Sequence, residues 1–290
     1  NHSLGWSKSV DEYNTLLDSY IRSNLLTMQT LMAKDSSLSS QFNNFSFSIT
    51  EPAAVLTDLK TKIAADFPQG PDVSYDIKYI TEALQDSVSP AMYFLPQLDN
   101  LNINSIYINP KGTRSSQLYP TLAHEGYPGH LYQTVYYSAT KHPPIRDLLS
   151  FGGYTEGWAT YCEMLSYYYS PLSHDMATLL QHNASVILGL YALADMGIHY
   201  DGWTLAETVA FFRTYGITNE KTIEDIFDLI VADPGNYLKY YIGYVEFLEL
   251  KKLAIKTWGD DFTQNQFHQC ILDTGPAPFE ILQKQIKNAY

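Results

Sequence analysis

Apolar side chains recur at helical spacing near the start of the chain and predict its first element. Between Ser9 and Lys34 they fall every three or four positions, which places them on one face of an α-helix: Tyr13, Leu16, Leu17, Tyr20, Ile21, Leu25 and Met28. The polar run KDSSLSSQFNNFS that follows predicts a loop. A second helix is predicted in TEPAAVLTDLKTKIAADFPQG, because Thr50 can cap its first turn, Pro52 suits that turn and Pro68 ends it.

The pattern changes twice further along the chain. Short β-rich runs at Ser74–Ile80 and Ser105–Asn109 lie between turn residues and predict a small sheet. From Gln117 onward, apolar stripes of helical period alternate with Gly, Pro or polar breaks, and no segment repeats another. We therefore predict a mainly α fold with a small antiparallel β element before the helix that starts near Gln117.

Composition indicates a globular protein and argues against several classes of partner. The chain has 290 residues, of which 45% are hydrophobic, enough to fill a sizeable core. Its formal net charge is −13, and its 18 basic residues form no cluster. Binding of nucleic acid or of an anionic membrane depends on such clusters, so neither partner is expected. No uninterrupted apolar run of about 18 residues is present, so no membrane insertion is expected either.

Two further features bear on the compartment. Cys162 and Cys270 are too few for a disulfide scaffold or a Cys-based zinc cluster, and we expect buried thiols. The start NHSLGWSKSVDEYN lacks the pattern of a signal peptide, although a removed signal would leave no trace. The 24 tyrosines suit either a wet cleft or an extracellular surface, and composition alone does not choose between them. The compartment is therefore left open, with an extracellular or cell-envelope location favoured slightly over the cytoplasm.

The candidate chemistry lies in TLAHEGYPGH, which begins like the zinc-protease signature H-E-x-x-H. The second histidine, His130, comes six residues after His124, so on a regular helix the two would point about 240° apart. Pro128 cannot donate a hydrogen bond to the carbonyl of His124, and Gly129 tolerates unusual dihedrals. A bulge that absorbs two residues would restore His130 as a ligand and bring Glu125 beside the metal. The alternative is two histidines that flank a kinked helix without a metal.

A third ligand is predicted in YTEGWATYCE. Glu156 and Glu163 are seven residues apart, which places both carboxylates on one helix face. Two histidines, one glutamate and a water form a common catalytic zinc arrangement, so we assign His124, His130 and Glu156 to one Zn²⁺. Glu163 would accept the remaining N–H of a ligating histidine. A solvated acidic face is the alternative, but this helix is rich in apolar residues.

Both motifs resemble the bacterial family catalogued as domain of unknown function 885. Its signature is HExxPGH followed by E-G-W-A-x-Y-x-E, and the similarity extends from about Ala91 to the C-terminus, including DMGIHYDGW and DPGNYLKYYIGYVEFLEL. The resemblance implies a zincin-like, mainly helical metallopeptidase relative, similar in design to the thimet-oligopeptidase type. This chain departs from the basic residues of the family at three positions, which puts in doubt any inherited recognition of a substrate carboxylate: Tyr191, Leu229 and Tyr241.

Family members run longer at the N-terminus, which implies a division of the chain. We expect an N-terminal helical segment at residues 1–48, which could be the end of a longer region, and a zincin-like catalytic domain at residues 49–290. The Ser/Asn-rich stretch Ser36–Ser48 is the candidate hinge.

Amide hydrolysis at such a site needs a general base and a donor to the oxyanion. Glu125 is the predicted base. Tyr240 is the first choice as the donor, because it aligns with the tyrosine in the motif of the family that this chain resembles. Tyr244 and His199 are the other candidates. Each has a structural alternative, a buried tyrosine with a satisfied hydroxyl or a core histidine held by Asp195. We regard the remaining histidines as ordinary surface or core residues: His2, His142, His174, His182 and His268.

Three functions are therefore weighed. The first is a zinc-dependent metallopeptidase-like hydrolase that acts on a peptide or small amide substrate. The second is a zincin-fold protein that keeps its metal site and binds peptides without turnover. The third, a purely structural helical domain, leaves the Pro and Gly between the two histidines unexplained. The sequence gives no prediction of oligomeric state.

Overall fold

A computed structural model describes residues 4–97 and 100–289 of the chain, so His2 lies outside the described residues. The predicted mainly α class is confirmed. The helices are α1 (Val10–Lys34), α2 (Ser37–Asn43), α3 (Pro52–Lys62), α4 (Leu118–Glu125), α5 (His130–Ser138), α6 (Gly152–Tyr169), α7 (His174–His199), α8 (Leu205–Thr214), α9 (Glu220–Ala232), α10 (Asn236–Trp258), α11 (Gln264–Thr274) and α12 (Phe279–Asn288). The strands are β1 (Tyr75–Tyr79), β2 (Ala91–Phe94) and β3 (Asn104–Ile108).

The N-terminal helices show where local sequence determines an element and where packing does. Helix α1 begins with a capping box, in which Ser9 and Glu12 each bond the backbone N–H of the other. The predicted loop after α1 contains the short helix α2, which is stabilised by burial of Leu38 beside Leu179 of α7. Helix α3 starts at Pro52 as predicted, although its N-cap residue is Glu51.

The sheet is mixed, which corrects the predicted antiparallel element. Its strand order is β1-β3-β2, with β3 parallel to β1 and antiparallel to β2. The two predicted strands are therefore parallel neighbours, with Tyr75 opposite Asn104. Strand β2 supplies the antiparallel pairing, and its four residues are too few for a clear alternating pattern.

Helices α6, α7 and α10 form the centre of the protein, and α6 crosses α10 at two glycines. A Cβ atom on Gly157 would lie 2.5 Å from the Cα of Gly243, far inside van der Waals contact. The absence of both side chains therefore permits the close approach of α6 and α10. This crossing sets the distance between residues of α6 and α10 that lie near it, among them Glu156 and Tyr240.

Helix α7 is long and apolar enough, by length and composition alone, to span a bilayer. In this structure 56% of its most apolar window is buried, as in a core helix. Helix α1 packs on α7, where Asn24 donates a hydrogen bond of 2.8 Å to Ser185, and its residue Leu17 belongs to the same core. The division of the chain at residue 48 remains a prediction.

The two cysteines differ in burial. Cys162 is buried, as expected, whereas Cys270 is only half-buried. Both are free thiols, and burial raises the pKa of Cys270 to about 11. Neither is therefore an activated thiolate.

Candidate metal centre

The HEGYPGH segment forms two helices joined by a tight turn, instead of one bulged helix. Helix α4 ends at Glu125 and α5 begins at His130. Within the turn, the N–H of Gly129 donates to the carbonyl of Ala123 over 2.9 Å. A Cβ atom on Gly129 would lie 1.9 Å from the carbonyl oxygen of His124, so this position requires glycine. The bulge was predicted to absorb the two extra residues between His124 and His130. In the structure, the break between α4 and α5 absorbs them instead.

Helix α6 holds this turn from the side. The indole N–H of Trp158 donates to the carbonyl of Pro128 over 3.0 Å, and the thiol of Cys162 donates to the same oxygen over 3.4 Å. Both side chains are buried. In the sequence both residues count only among the apolar positions of this helix, although a buried indole N–H needs a hydrogen-bond acceptor, and that requirement indicates a contact of this kind. The E-G-W-A-x-Y-x-E helix therefore fixes the turn of the HExxPGH segment.

The three predicted metal ligands come together beside this turn. One ligand atom from each of His124, His130 and Glu156 lies within 4.8 Å of the others. An oxygen of Glu156 is 3.6 Å from Nε2 of His124 and 3.3 Å from Nε2 of His130. Ligands placed about 2.1 Å from a tetrahedral zinc ion are about 3.4 Å apart, so the donor set fits this metal. Within the described residues no other group of three such side chains occurs.

The surroundings of the cluster also suit a cation. Nδ1 of His124 is 3.0 Å from a carboxylate oxygen of Glu163, which leaves Nε2 of His124 for a metal. Burial alone would lower the pKa of His124, but the neighbouring carboxylates of Glu156 and Glu163 raise it to about 10. Thr160 lies between these glutamates on α6, and its buried hydroxyl has no hydrogen-bond partner among the described residues. Sequence reasoning did not identify Thr160.

The predicted general base is anchored by the sheet. The backbone N–H of Tyr93 in β2 donates to Oε2 of Glu125 over 2.7 Å. Glu125 is nearly buried, and it lines the same cleft as His124. One carboxylate oxygen is thus held in place, while the other accepts no hydrogen bond within the described residues. This role of β2 could not be predicted, because the strand itself was not.

The first-choice oxyanion donor faces the cluster from α10. The ring centroid of Tyr240 is 6.1 Å from that of His124, and Tyr240 lines the cleft. Burial, together with the negative charges of Glu156, Glu125 and Glu163, raises the pKa of Tyr240 well above its ordinary value. The phenol therefore keeps its proton and is a hydrogen-bond donor at neutral pH.

The other two donor candidates are not brought to the cleft. Tyr244 is buried in the core, where its hydroxyl accepts a hydrogen bond of 3.1 Å from Gln181 of α7. His199 ends α7, and its Nδ1 is 2.8 Å from a carboxylate oxygen of Asp195. Neither residue lines the cleft that contains His124. Tyr244 therefore matches its structural alternative, whereas His199 is held by Asp195 but is exposed and does not belong to the core.

Asp195 has a second role besides the predicted contact with His199. Its buried carboxylate accepts hydrogen bonds from the backbone N–H groups of Gly235 at 2.9 Å and Tyr237 at 3.2 Å. These groups lie at the N-terminus of α10, where a negative charge is favourable. Asp195 therefore positions the start of the helix that carries Tyr240.

Of the three predicted ligands, His124 lines a cleft of about 720 Å³. One wall is an apolar face of α7 that includes Leu180, Ala184 and Leu188. Of the three positions at which the chain departs from the basic residues of the family, only Tyr191 lines this cleft. Tyr241 is fully buried and Leu229 is exposed on α9.

Comparisons with known proteins agree with the fold and the motifs. The structure is similar to that of a "putative lipoprotein" from Colwellia psychrerythraea, with a TM-score of 0.83 and 21% identity over 99% of this chain and 54% of the other. It is also similar to a "putative lipoprotein of unknown function" from Shewanella oneidensis, with a TM-score of 0.63 and 16% identity over 92% of this chain and 56% of the other. The chain thus spans about half the length of each.

No curated protein matches the chain. The sequence model described as "Bacterial protein of unknown function (DUF885)" matches residues 48–286. The match contains both motifs, and it begins well before Ala91, where the resemblance was expected to start. It covers most of the chain, and the chain therefore belongs to the DUF885 family of bacterial proteins.

Proposed function

We propose that this chain is a zinc-dependent hydrolase that cleaves peptide bonds or related amides. One observation carries the proposal: donor atoms of His124, His130 and Glu156 lie within 4.8 Å of one another, and His124 lines a cleft that Glu125 and Tyr240 also line. The sequence signature, the donor set and the position of a carboxylate and a phenol all support the same reaction class.

The three ligands would hold one zinc ion. When bound, the ion would supply a Lewis acid that lowers the pKa of a water molecule to about 7. Glu125 is held through Oε2, so its other oxygen takes a proton from the attacking water and later transfers it to the leaving amine. Glu163 holds His124 in the tautomer with a free Nε2.

Tyr240 would stabilise the tetrahedral stage of the reaction. Its protonated hydroxyl donates a hydrogen bond to the former carbonyl oxygen as negative charge develops there. Asp195 at the start of α10 and the glycine crossing of α10 with α6 keep this phenol opposite the ligands.

The relatives also suggest a location. Two proteins of similar structure are described as putative lipoproteins, a class attached to membranes by lipid. We propose that this chain acts in the cell envelope. Fractionation of a bacterium that encodes the chain, with detection by antibody, should recover it from membranes or periplasm. Recovery from the cytosol would contradict this location.

A second candidate is a metal-bearing protein that binds peptides without cleaving them. Tyr191 favours it, because this departure from the basic residues of the family faces the cleft. The experiment is to compare zinc-loaded wild type with Glu125→Gln and with the control Glu82→Gln, an exposed glutamate outside the cleft, on a peptide library.

Hydrolysis predicts cleavage by wild type and Glu82→Gln, and a loss of about 10²-fold or more in Glu125→Gln at unchanged zinc content. Equal turnover by Glu125→Gln would exclude the assigned base. Binding without cleavage by any of the three proteins would favour the second candidate.

A further inference from the structure

We propose that Arg114 is a carboxylate-binding site of the cleft, so that the substrate is a peptide with a negatively charged carboxylate and apolar side chains. This inference rests on the proposed function, because it concerns the same cleft. Arg114 is exposed and lies four residues before Leu118, the first residue of α4, and its backbone carbonyl accepts a hydrogen bond from the N–H of Gln117. Its side chain lines the cleft that contains His124 and Glu125.

Arg114 differs from the other arginines in having no side-chain partner within the part of the chain that the structure describes. Arg22 pairs with Asp18, Arg213 pairs with Glu220, and Arg146 donates to two backbone carbonyls. Among the described residues, Arg114 forms no side-chain hydrogen bond or ion pair, although the chain carries 31 acidic residues. An unpaired guanidinium in a cleft is free to bind an anionic group of a ligand.

The position of Arg114 separates it from the acidic end of the cleft. Thr121 and His124 lie on one face of α4 and line the cleft, as do the N-cap residue Gln117 and, four residues before the first residue of the helix, Arg114. From the first residue of α4 to His124 the helix rises about 9 Å. A carboxylate at Arg114 therefore lies away from the metal cluster and its glutamates.

Charge explains why this separation matters. Glu125 and Glu163 lie beside the cluster, and the nearby cation Lys239 is already paired with Glu156 at 3.9 Å, so the described residues offer no unpaired basic side chain there for a substrate carboxylate. Arg114 is the one Lys or Arg among the described residues that line the cleft. A guanidinium binds a carboxylate through two parallel hydrogen bonds, which gives both orientation and affinity.

The apolar wall defines the rest of the substrate. Leu180, Ala184 and Leu188 occur at helical spacing on α7 and line the same cleft as Arg114. They suit apolar side chains of a bound peptide. The carboxylate itself can be the C-terminal carboxylate of the peptide or an acidic side chain, because both present the same group to Arg114.

The test measures binding, using Glu125→Gln as the background so that the probes are not cleaved. Three fluorescent pentapeptides share one apolar sequence: a free acid, its C-terminal amide, and the amide with one Asp. Binding is followed by anisotropy with and without added zinc. Arg114→Ala should weaken binding of the free acid about 10–100-fold and leave the amide unchanged.

Two controls separate this contact from net charge. Lys256→Ala removes an exposed cation near the far end of α10 and should change none of the affinities. Arg114→Lys keeps the charge without the two-pronged geometry and should restore part of the affinity.

The peptide that responds to Arg114→Ala identifies the source of the carboxylate. A response of the free acid alone indicates the C-terminus, and a response of the Asp peptide as well indicates that an acidic side chain is also accepted. An equal effect on all three peptides, or no binding of any of them, would overturn the proposal. Arg114-dependent binding by a wild type that cleaves nothing would contradict the proposed hydrolysis but not this site.

Discussion

A methyl group at Gly157 tests whether the glycine crossing of α6 and α10 sets the geometry of the site. In Gly157→Ala the new Cβ atom would meet the Cα and carbonyl carbon of Gly243 at 2.5 Å. Backbone atoms cannot rotate away, so the helices must separate by about 1 Å to restore normal contact. Such overpacking costs about 1–3 kcal/mol of the free energy of unfolding. A shift of about 1 Å between Glu156 and Tyr240 should lower turnover about 10²-fold.

The assay combines chemical unfolding with peptide cleavage, and α6 supplies its own control. A Cβ atom on Gly152 would meet a flexible side-chain carbon of Leu4 at 3.3 Å, so Gly152→Ala should change the free energy of unfolding by less than about 1 kcal/mol. The expected result is a clear loss of stability and turnover in Gly157→Ala alone. If both variants unfold at the same denaturant concentration as wild type, the reasoning about the crossing is refuted.

Three further predictions concern single residues. Tyr240→Phe should lower kcat about 10²–10³-fold at unchanged zinc content, and normal kcat would exclude Tyr240 as the oxyanion donor. Glu163→Gln should weaken zinc binding about 10–100-fold in competition with a chelator, and an unchanged Kd would mean that its bond to His124 is dispensable. Burial lowers the pKa of His268 to about 3, so the unfolded state takes up a proton first as the pH falls below about 6.5. About 2 kcal/mol of stability should be lost by pH 5, and the same acid sensitivity in His268→Gln would contradict this origin.

The sequence was sufficient to predict those features that depend only on residue type and on angular spacing along a helix. The candidate ligands His124, His130 and Glu156 and the candidate outer partner Glu163 were all identified, and the structure brings their side chains together. The long helices were also predicted, because each buries a periodic apolar stripe. Short elements escaped prediction, since the four residues of β2 are ordered by pairing with β3.

Errors about single residues have a common physical cause. Tyr244 follows Tyr240 by one turn, so spacing alone puts both on one face of α10. The core begins between Tyr240 and Tyr244, because the helices packed against α10 determine how deeply each of its positions is buried. Asp195 was paired correctly with His199, but its bonds to the start of α10 join residues about forty positions apart. No local pattern contains that contact.

Zinc binding by the purified chain tests the central claim most directly. Metal-free protein is titrated with zinc, and bound metal is measured after removal of the excess. We expect one zinc per chain in wild type and in Glu125→Gln. In His130→Ala the affinity for zinc should fall by more than the roughly 10–100-fold expected when Glu163, which only contacts the ligand His124, is replaced. No zinc bound by wild type, or equal affinity in His130→Ala, would contradict the assignment of this site.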